Sequence, residues 1–216
     1  MLEKMGEFFD ARIEGYEAHQ LTTIDGAAEF YPFTTGCLPQ TPGACILDLG
    51  CGTGLELGYY FETVPTARVT GIDLAPGMLE ELRKKFPDKA LTLVLGSYFD
   101  VPFGENAFDA AVSVESLHHF TKAEKFFLYA KLRKALKPGG FFILTDYFAA
   151  SEAEESFRRA ELLRLKQEQG LTDDTFYHYD TPLTVAHEIE ALRQAGFANL
   201  TVLKSWGQTH TLKASK

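Results

Sequence analysis

The sequence predicts an α/β fold: a seven-stranded, mostly parallel sheet with an antiparallel last strand and helices on both faces. Three observations predict it. Apolar runs of strand length alternate with amphipathic stretches along most of the chain. Two of those runs, AVSV and FFILT, are apolar throughout, as strands covered on both sides must be. A third run, Cys45–Leu49, leads straight into a glycine-rich turn and a helical pattern, ILDLGCGTGLELG. With 216 residues, 45% of them hydrophobic and 24% charged, the chain is long enough for one well-cored domain and short for two, so residues 1–216 are expected to form a single domain.

The elements follow in order. Residues 1–40 read as amphipathic helix and are expected to form an N-terminal lid. The strand Cys45–Leu49 is followed by a helix over Thr53–Phe61 and a strand over Arg68–Asp73. Pro76 suits the first turn of the next helix, Pro76–Phe86, because its missing N–H would have no partner there. Strands Leu91–Leu95 and Phe108–Val114 come next. Thr121 with Glu124 three residues on is a capping-box pattern for a helix over Lys122–Leu136, which Lys137-Pro-Gly-Gly ends before the strand Phe141–Asp146. A charged helix, Ser151–Gln169, and the aperiodic LTDDTFYHYDTP make residues 149–182 a variable lid inserted after the fifth strand. Thr184 then caps VAHEIEALRQAG, and two strands, Asn199–Lys204 and Gln208–Leu212, separated by Ser205-Trp206-Gly207, should form an antiparallel hairpin.

Composition excludes several partners. The net charge is −9, and the basic residues are scattered among acids rather than gathered in a patch, which argues against nucleic acid and anionic membranes. No apolar stretch reaches membrane length, and MLEKMGEFFDARIEG lacks the apolar middle of a signal peptide, so a cytoplasmic protein is expected. The three cysteines, Cys37, Cys45 and Cys51, are an odd number without C-x-x-C spacing, which suits a reducing compartment. No His, Cys or Asp cluster has metal-ligand spacing, because His118 and His119 are adjacent and should point different ways on regular structure. No metal is expected. The assembly is left open, with a homodimer allowed.

The glycine turn carries the chemistry. Glycines between a strand and a helix allow a tight turn and let a ligand reach the bare main chain at a helix N-terminus. A dinucleotide fingerprint, G-x-G-x-x-G/A, would need a small residue at position 55, which is Leu55. The pattern is instead D-x-G-x-G-x-G, with Asp48 two residues before the first glycine. A pyrophosphate would gain nothing from that acid, whereas a ligand with an ammonium group would. Asp73, at the tip of the neighbouring strand over a cleft, can accept hydrogen bonds from both hydroxyls of a ribose and should support no core. An acid for an amine, a close-approach loop and an acid for a diol suit an adenosine sulfonium.

ILDLGCGTG, VTGIDLAPGML, GSYFDVPFGENAFDAAVSVESLHHF and LRKALKPGGFFILTDYF resemble, in order and spacing, the successive motifs of class I S-adenosylmethionine-dependent methyltransferases. The likeness is to the small-molecule branch that includes the ubiquinone and menaquinone biosynthesis methyltransferases. The resemblance implies a Rossmann-like three-layer sandwich and S-adenosyl-L-methionine as cofactor. It further implies that Asp48, Gly50, Cys51, Gly52 and Gly54 surround the methionine part, although small size alone explains Cys51. By the same resemblance Asp73 holds the ribose, Leu74 and Met78 flank the adenine, and Ser97 and Tyr98 follow at its edge. Many relatives carry an Asp where this chain has Ser97. Glu115 falls where the cofactor's amino group is expected.

Methyl transfer from a sulfonium needs alignment, exclusion of water and, for some acceptors, removal of a proton; it needs no fixed nucleophile. Proposed catalytic groups beyond the strand tips are His119, His178 and Tyr147, with Asp146 and Asp180 beside them in sequence. Tyr16, Tyr31, His118 and Tyr177 are expected to bind the substrate, although a histidine there can equally cap or pack and the aromatic residues can equally be lid packing. EFFDARIEGYEAH resembles the opening of that branch, which implies that Phe9 and Tyr16 fold over the cofactor. The tetrapeptide and dipeptide motifs of DNA-base methyltransferases are absent, so the expected partner is a small molecule. Two alternatives stay open: a nicotinamide-dependent oxidoreductase and a non-catalytic protein that binds the cofactor.

Overall fold

Strand β1 (Cys45–Leu49) lies in the middle of a seven-stranded sheet and pairs in parallel with β2 (Arg68–Asp73) on one side and β4 (Phe108–Val114) on the other. The structure, a computed structural model, describes residues 1–172 and 175–216, so Asp173 and Asp174 of the expected lid lie outside the described residues. Parallel pairing continues outward to β3 (Ala90–Leu95) beside β2 and β5 (Leu136–Tyr147) beside β4. The hairpin of β6 (Ala198–Trp206) and β7 (Thr209–Ser215) closes the far edge, with β7 antiparallel to both β5 and β6. The order is therefore β3-β2-β1-β4-β5-β7-β6. It reverses between β1 and β4, and ligands of open α/β sheets bind at the carboxyl ends of the strands at such a point.

Helices cover both faces because the central strands are apolar on both. Helices α3 (Ala27–Gly36), α4 (Leu55–Thr63) and α5 (Pro76–Lys85) pack Phe30, Leu57, Tyr60 and Leu82 against Ile46, Val69 and Val112. On the opposite face α6 (Lys122–Ala135) and α8 (Val185–Gln194) pack Leu128, Leu132 and Leu192 against Leu47, Ala111 and Phe142. A buried ion pair, Lys125 to Glu188, joins these two helices, and the Tyr129 hydroxyl donates to the same carboxylate. Among the described residues, no helix is long and apolar enough to cross a membrane.

Local signals hold with small shifts. Thr121 and Glu124 form the expected capping box, and Thr184 accepts from His187 N. Helix α4 starts at Leu55 rather than Thr53 because Gly54 stands in the left-handed region, at φ 68°. The Lys137-Pro-Gly-Gly segment ends α6 yet belongs to β5, where the register with β4 shifts between Phe108 and Ala110. The hairpin turns at Gly207 and Gln208, so Ser205 and Trp206 are strand. The chain before β1 forms α1 (Met5–Asp10), α2 (Tyr16–Thr23) and α3; α1 is anchored to α5, where Gly77 N donates to Asp10 Oδ1 at 2.9 Å. Helix α7 (Glu152–Glu168) buries none of its residues.

Candidate active site

The glycine turn after β1 is folded back against β2. Gly50 N and Cys51 N both donate to the Ile72 carbonyl, at 2.9 and 3.3 Å. Asp73 completes the fastening: its Oδ2 accepts from Gly52 N and its Oδ1 from Ala75 N, each at 2.8 Å. Burial nevertheless raises its pKa against those N–H groups. Asp73, expected to support no core, is in no apolar cluster but ties the loop to the strand. At Gly50 a Cβ would lie 2.1 Å from Ser116 Oγ, so only glycine lets the loop approach the end of β4. At Gly52 a Cβ would meet nothing within 4 Å, which marks the open side of the loop. Gly50, Gly52, Asp73, Leu74, Met78 and Tyr98 line a narrow cleft of about 50 Å³, and Phe9, Tyr16 and His119 line it as well.

Five residues expected at the cofactor do not line that cleft: Asp48, Cys51, Gly54, Ser97 and, at a larger cavity beyond it, Glu115. Asp48 is 1% exposed, and neither of its oxygens has a hydrogen-bond donor. Its neighbour is Glu56 of α4, also buried; burial first, and then their mutual repulsion, hold the Asp48 carboxyl well above the ordinary range. Glu56 is raised as well, by burial. Two acids in that position share a proton or wait for a cation. Cys51 packs its sulfur against Gly71, where a Cβ would come within 2.7 Å, so its role is packing. Gly54 starts α4, and a Cβ on it would strike Leu82. Ser97 Oγ accepts from Phe99 N at 3.1 Å and closes the turn after β3. Tyr98, by contrast, is in the cleft, its hydroxyl donating to Ser116.

Beyond Phe9 and Tyr16 opens a larger cavity of about 740 Å³ at the tips of β4 and β5. Its floor is organised by Asp146, whose Oδ2 accepts from Leu117 N at 2.8 Å and whose Oδ1 accepts from Tyr147 N at 2.9 Å. His118 Nδ1 stands 2.5 Å from the same Oδ1. On the other side Asp180 Oδ1 lies 3.5 Å from His118 Nε2 and 3.3 Å from His119 Nδ1. Burial opposes charge on His118, but Asp146 and then Asp180 outweigh it and hold the imidazole well above its usual pKa. His119 is lowered, by burial and by the charge on His118. His178 is pushed down to about 4 by burial and its histidine neighbours. The floor therefore offers one imidazolium and two neutral imidazoles. Burial, with Asp146 next to it, lifts Glu115 to about 8, and Thr209 Oγ1 donates to it at 3.4 Å.

The two expected lids touch each other over this cavity. Met5 N donates to the Phe176 carbonyl and His178 N to the Glu3 carbonyl, both at 2.9 Å, while the His178 ring stacks on Phe8 with centroids 3.5 Å apart.

Tyr16, His118, His119, Tyr147 and His178, expected at the substrate or the chemistry, thus line one cavity, together with Glu115, which was expected at the cofactor. Tyr147 is engaged, its hydroxyl donating to Glu154 at 3.1 Å. Two expected substrate residues lie off the wall. Tyr31 is 3% exposed in the core beneath α2, and its hydroxyl donates to Gln20. Tyr177 turns its backbone to Lys4 and its ring toward Lys166. His118 and His119, expected to point different ways, instead share a partner. They sit on a 3₁₀ turn, Leu117–His119, and Asp180 reaches both, so that one ligand atom from each of the three lies within 4.8 Å of the others. Sequence reasoning passed over Glu56, Ser116 and Thr209. Glu56 carried a signal, an acid just past the glycine turn; Thr209, in the last hairpin, carried none.

Comparison with known proteins agrees with this geometry. The family described as a methyltransferase domain matches residues 47–144. The chain is 34% identical over 148 residues to a demethylmenaquinone methyltransferase of Symbiobacterium thermophilum, covering 65% of this chain and 57% of that one. It is 31% identical over 137 residues to a fatty-acid O-methyltransferase of Mycolicibacterium smegmatis, covering 62% of this chain and 49% of that one. It thus spans about half the length of the curated relatives it matches. Among solved structures, an S-adenosylmethionine-dependent methyltransferase from Mesorhizobium loti shares the fold, with a TM-score of 0.64 at 21% identity over 86% of this chain and 96% of that one.

Proposed function

This chain belongs to the class I S-adenosylmethionine-dependent methyltransferases, and we propose that it methylates a small molecule held in the cavity beyond the tips of β4 and β5. The observation that carries the reading is the position of His119, which lines both the glycine-loop cleft and the large cavity. A group transferred from one to the other passes it.

The residues present fit the cofactor. Asp48 lies behind the glycine loop and does not line the cleft, so the fit rests on the loop itself, on Asp73 and on the apolar residues around them. Gly52 is open toward the cleft, Asp73 keeps lone pairs beyond its two backbone bonds for a diol, and Met78 and Tyr98 offer apolar surface to a base. Bound there, S-adenosylmethionine supplies a methyl group activated on a sulfonium. Phe9 and Tyr16, which stand between the two cavities, are the lid: a shift of α1 and α2 joins the cleft to a space of ligand scale and its return excludes water. His118, as imidazolium, orients an acceptor oxygen by donation and electrostatics. A proton leaving the acceptor goes to one of the neutral imidazoles, His119 or His178.

The test is isothermal titration of the chain with S-adenosylmethionine and with its demethylated product. One site per chain is expected for each. No heat at millimolar ligand, with the chain folded by circular dichroism, ends the reading.

A further inference from the structure

We propose that His118, His119 and Asp180 form a binding site for a divalent transition-metal ion, with one coordination position open to the large cavity. The ligand atoms are His118 Nε2, His119 Nδ1 and an Asp180 oxygen. That oxygen stands 3.5 and 3.3 Å from the two nitrogens. Ligands about 2.0–2.2 Å from a tetrahedral ion are roughly 3.3–3.6 Å from one another, so both edges from Asp180 already have the spacing of a coordination shell, and one ligand atom of each residue lies within 4.8 Å of the others.

The surroundings prepare these atoms for a cation. Asp146 is fixed by the Leu117 and Tyr147 N–H groups, one on each oxygen, and receives His118 Nδ1–H. This leaves Nε2 as the nitrogen that faces Asp180; without an ion its proton lies between them, and a metal ion would take that proton's place. A carboxylate behind a ligating imidazole is the usual support of a metal-bound histidine. The opposite ligand is tied to the same turn, since Thr181 N donates to the His118 carbonyl at 2.9 Å. His119 Nδ1 stands 3.2 Å from the Tyr179 carbonyl and 3.3 Å from Asp180; protonated, it donates to them, and with the ring proton on Nε2 instead its lone pair is free for the ion.

Two imidazoles and one carboxylate with an open position suit Zn²⁺, Fe²⁺, Co²⁺ or Mn²⁺, and not the all-oxygen shells of Mg²⁺ and Ca²⁺. The open position faces the cavity, so the group it takes is an oxygen donor of the bound small molecule: a hydroxyl, an enol or a carboxylate. Only this last step rests on the methyl-transfer reading; the ion site stands on its own geometry. With His119 committed to the ion, His178 is the neutral imidazole left to receive a proton.

The test is titration of the chelator-stripped chain with Co²⁺, followed by visible absorption, without any methyl donor. One ion per chain is expected, with ligand-field bands and without the intense ultraviolet band that thiolate ligation by Cys37, Cys45 or Cys51 would add. Asp180→Asn, at a residue whose side chain is 42% exposed and whose loss the fold can bear, should weaken binding at least tenfold. His118→Ala should abolish it. His187→Gln, at a separate histidine–carboxylate pair with Glu155, should leave it unchanged. Absence of Co²⁺ binding, or equal affinity in Asp180→Asn and the parent, overturns the proposal. Because cofactor titration is a separate measurement, either reading can fail without the other.

Discussion

The two halves of the cleft are built in opposite ways. The half around the glycine turn takes its loop and its carboxylate from one stretch of chain, since Asp48 through Asp73 to Met78 is a single strand–helix–strand–helix unit, and Phe9, Tyr16 and Tyr98 add to its lining from elsewhere. The half at the tips of β4 and β5 is gathered from the N-terminal helices, the Leu117–His119 turn, Asp146 and the segment ending at Asp180. In the first, main-chain N–H groups are the partners of the key carboxylate Asp73. In the second, side chains from distant segments are partners of one another. A contiguous site can be kept by local sequence, whereas an assembled one depends on a few buried polar groups to hold its pieces together.

Asp146 is the residue on which the assembled half depends most. Asp146→Ala strips the backbone N–H groups of Leu117 and Tyr147 of their acceptor and leaves His118 buried without its partner. Breaking a buried ion pair by removing one member costs about 3–5 kcal/mol. Urea unfolding should show a loss of that size. Cofactor affinity should stay within about threefold of the parent, because none of the Asp146 contacts reaches Gly52 or Asp73 and separate sites act almost independently. A fall in cofactor affinity as large as the one expected for Asp73→Ala would mean that the halves are one cooperative unit, and the contrast between them would break.

The same contrast explains what could be read from sequence. The seven strands and their order in the chain were legible because each apolar run is a local feature, and the capping residues Thr121 and Thr184 act within one turn of helix. The glycine turn was legible for the same reason. The direction in which a side chain points in an irregular or lid segment was not, because tertiary packing decides it. Tyr31 on α3 turned into the core and Tyr177 turned away from the cavity, while Tyr16 and His178, of the same chemical kinds in the same segments, turned toward it. Adjacency of His118 and His119 suggested divergence; a 3₁₀ turn and a third residue, Asp180, far along the chain made them converge.

Asp73 tests the contiguous half, with a smaller expected loss. If Asp73 holds the ribose as proposed, Asp73→Ala removes two charge-assisted hydrogen bonds, each worth about 1.5–3 kcal/mol, and calorimetry should show at least a tenfold loss of cofactor affinity. The backbone bonds from Gly52 and Ala75 go as well, which should cost about 1–3 kcal/mol in unfolding free energy as those N–H groups lose their acceptor. Asp73→Asn, which keeps one acceptor oxygen, should recover part of both. Asp88, exposed in the turn after α5, is the control and should be silent in both assays. Unchanged affinity in Asp73→Ala would remove the ribose from this strand tip.

The smallest effect is expected at Ser97, where the direction is a gain. The hydroxyl accepts from Phe99 N and so holds the turn after β3, next to Tyr98 in the cleft. An aspartate can keep that bond, since Asp caps such a turn with one oxygen as readily as Ser does. Its second oxygen then extends one bond further, toward the side of the cleft where the base is expected, and can accept from an amino group. A net gain of about 0.5–1.5 kcal/mol for one new hydrogen bond corresponds to roughly two- to tenfold tighter binding. Titration of Ser97→Asp with S-adenosylmethionine should show it. Titration with a purine analogue that lacks the amino group should show none of the gain. A stable Ser97→Asp variant that binds both ligands like the parent would place the adenine edge away from the end of β3, and the contiguous half would then end at Met78.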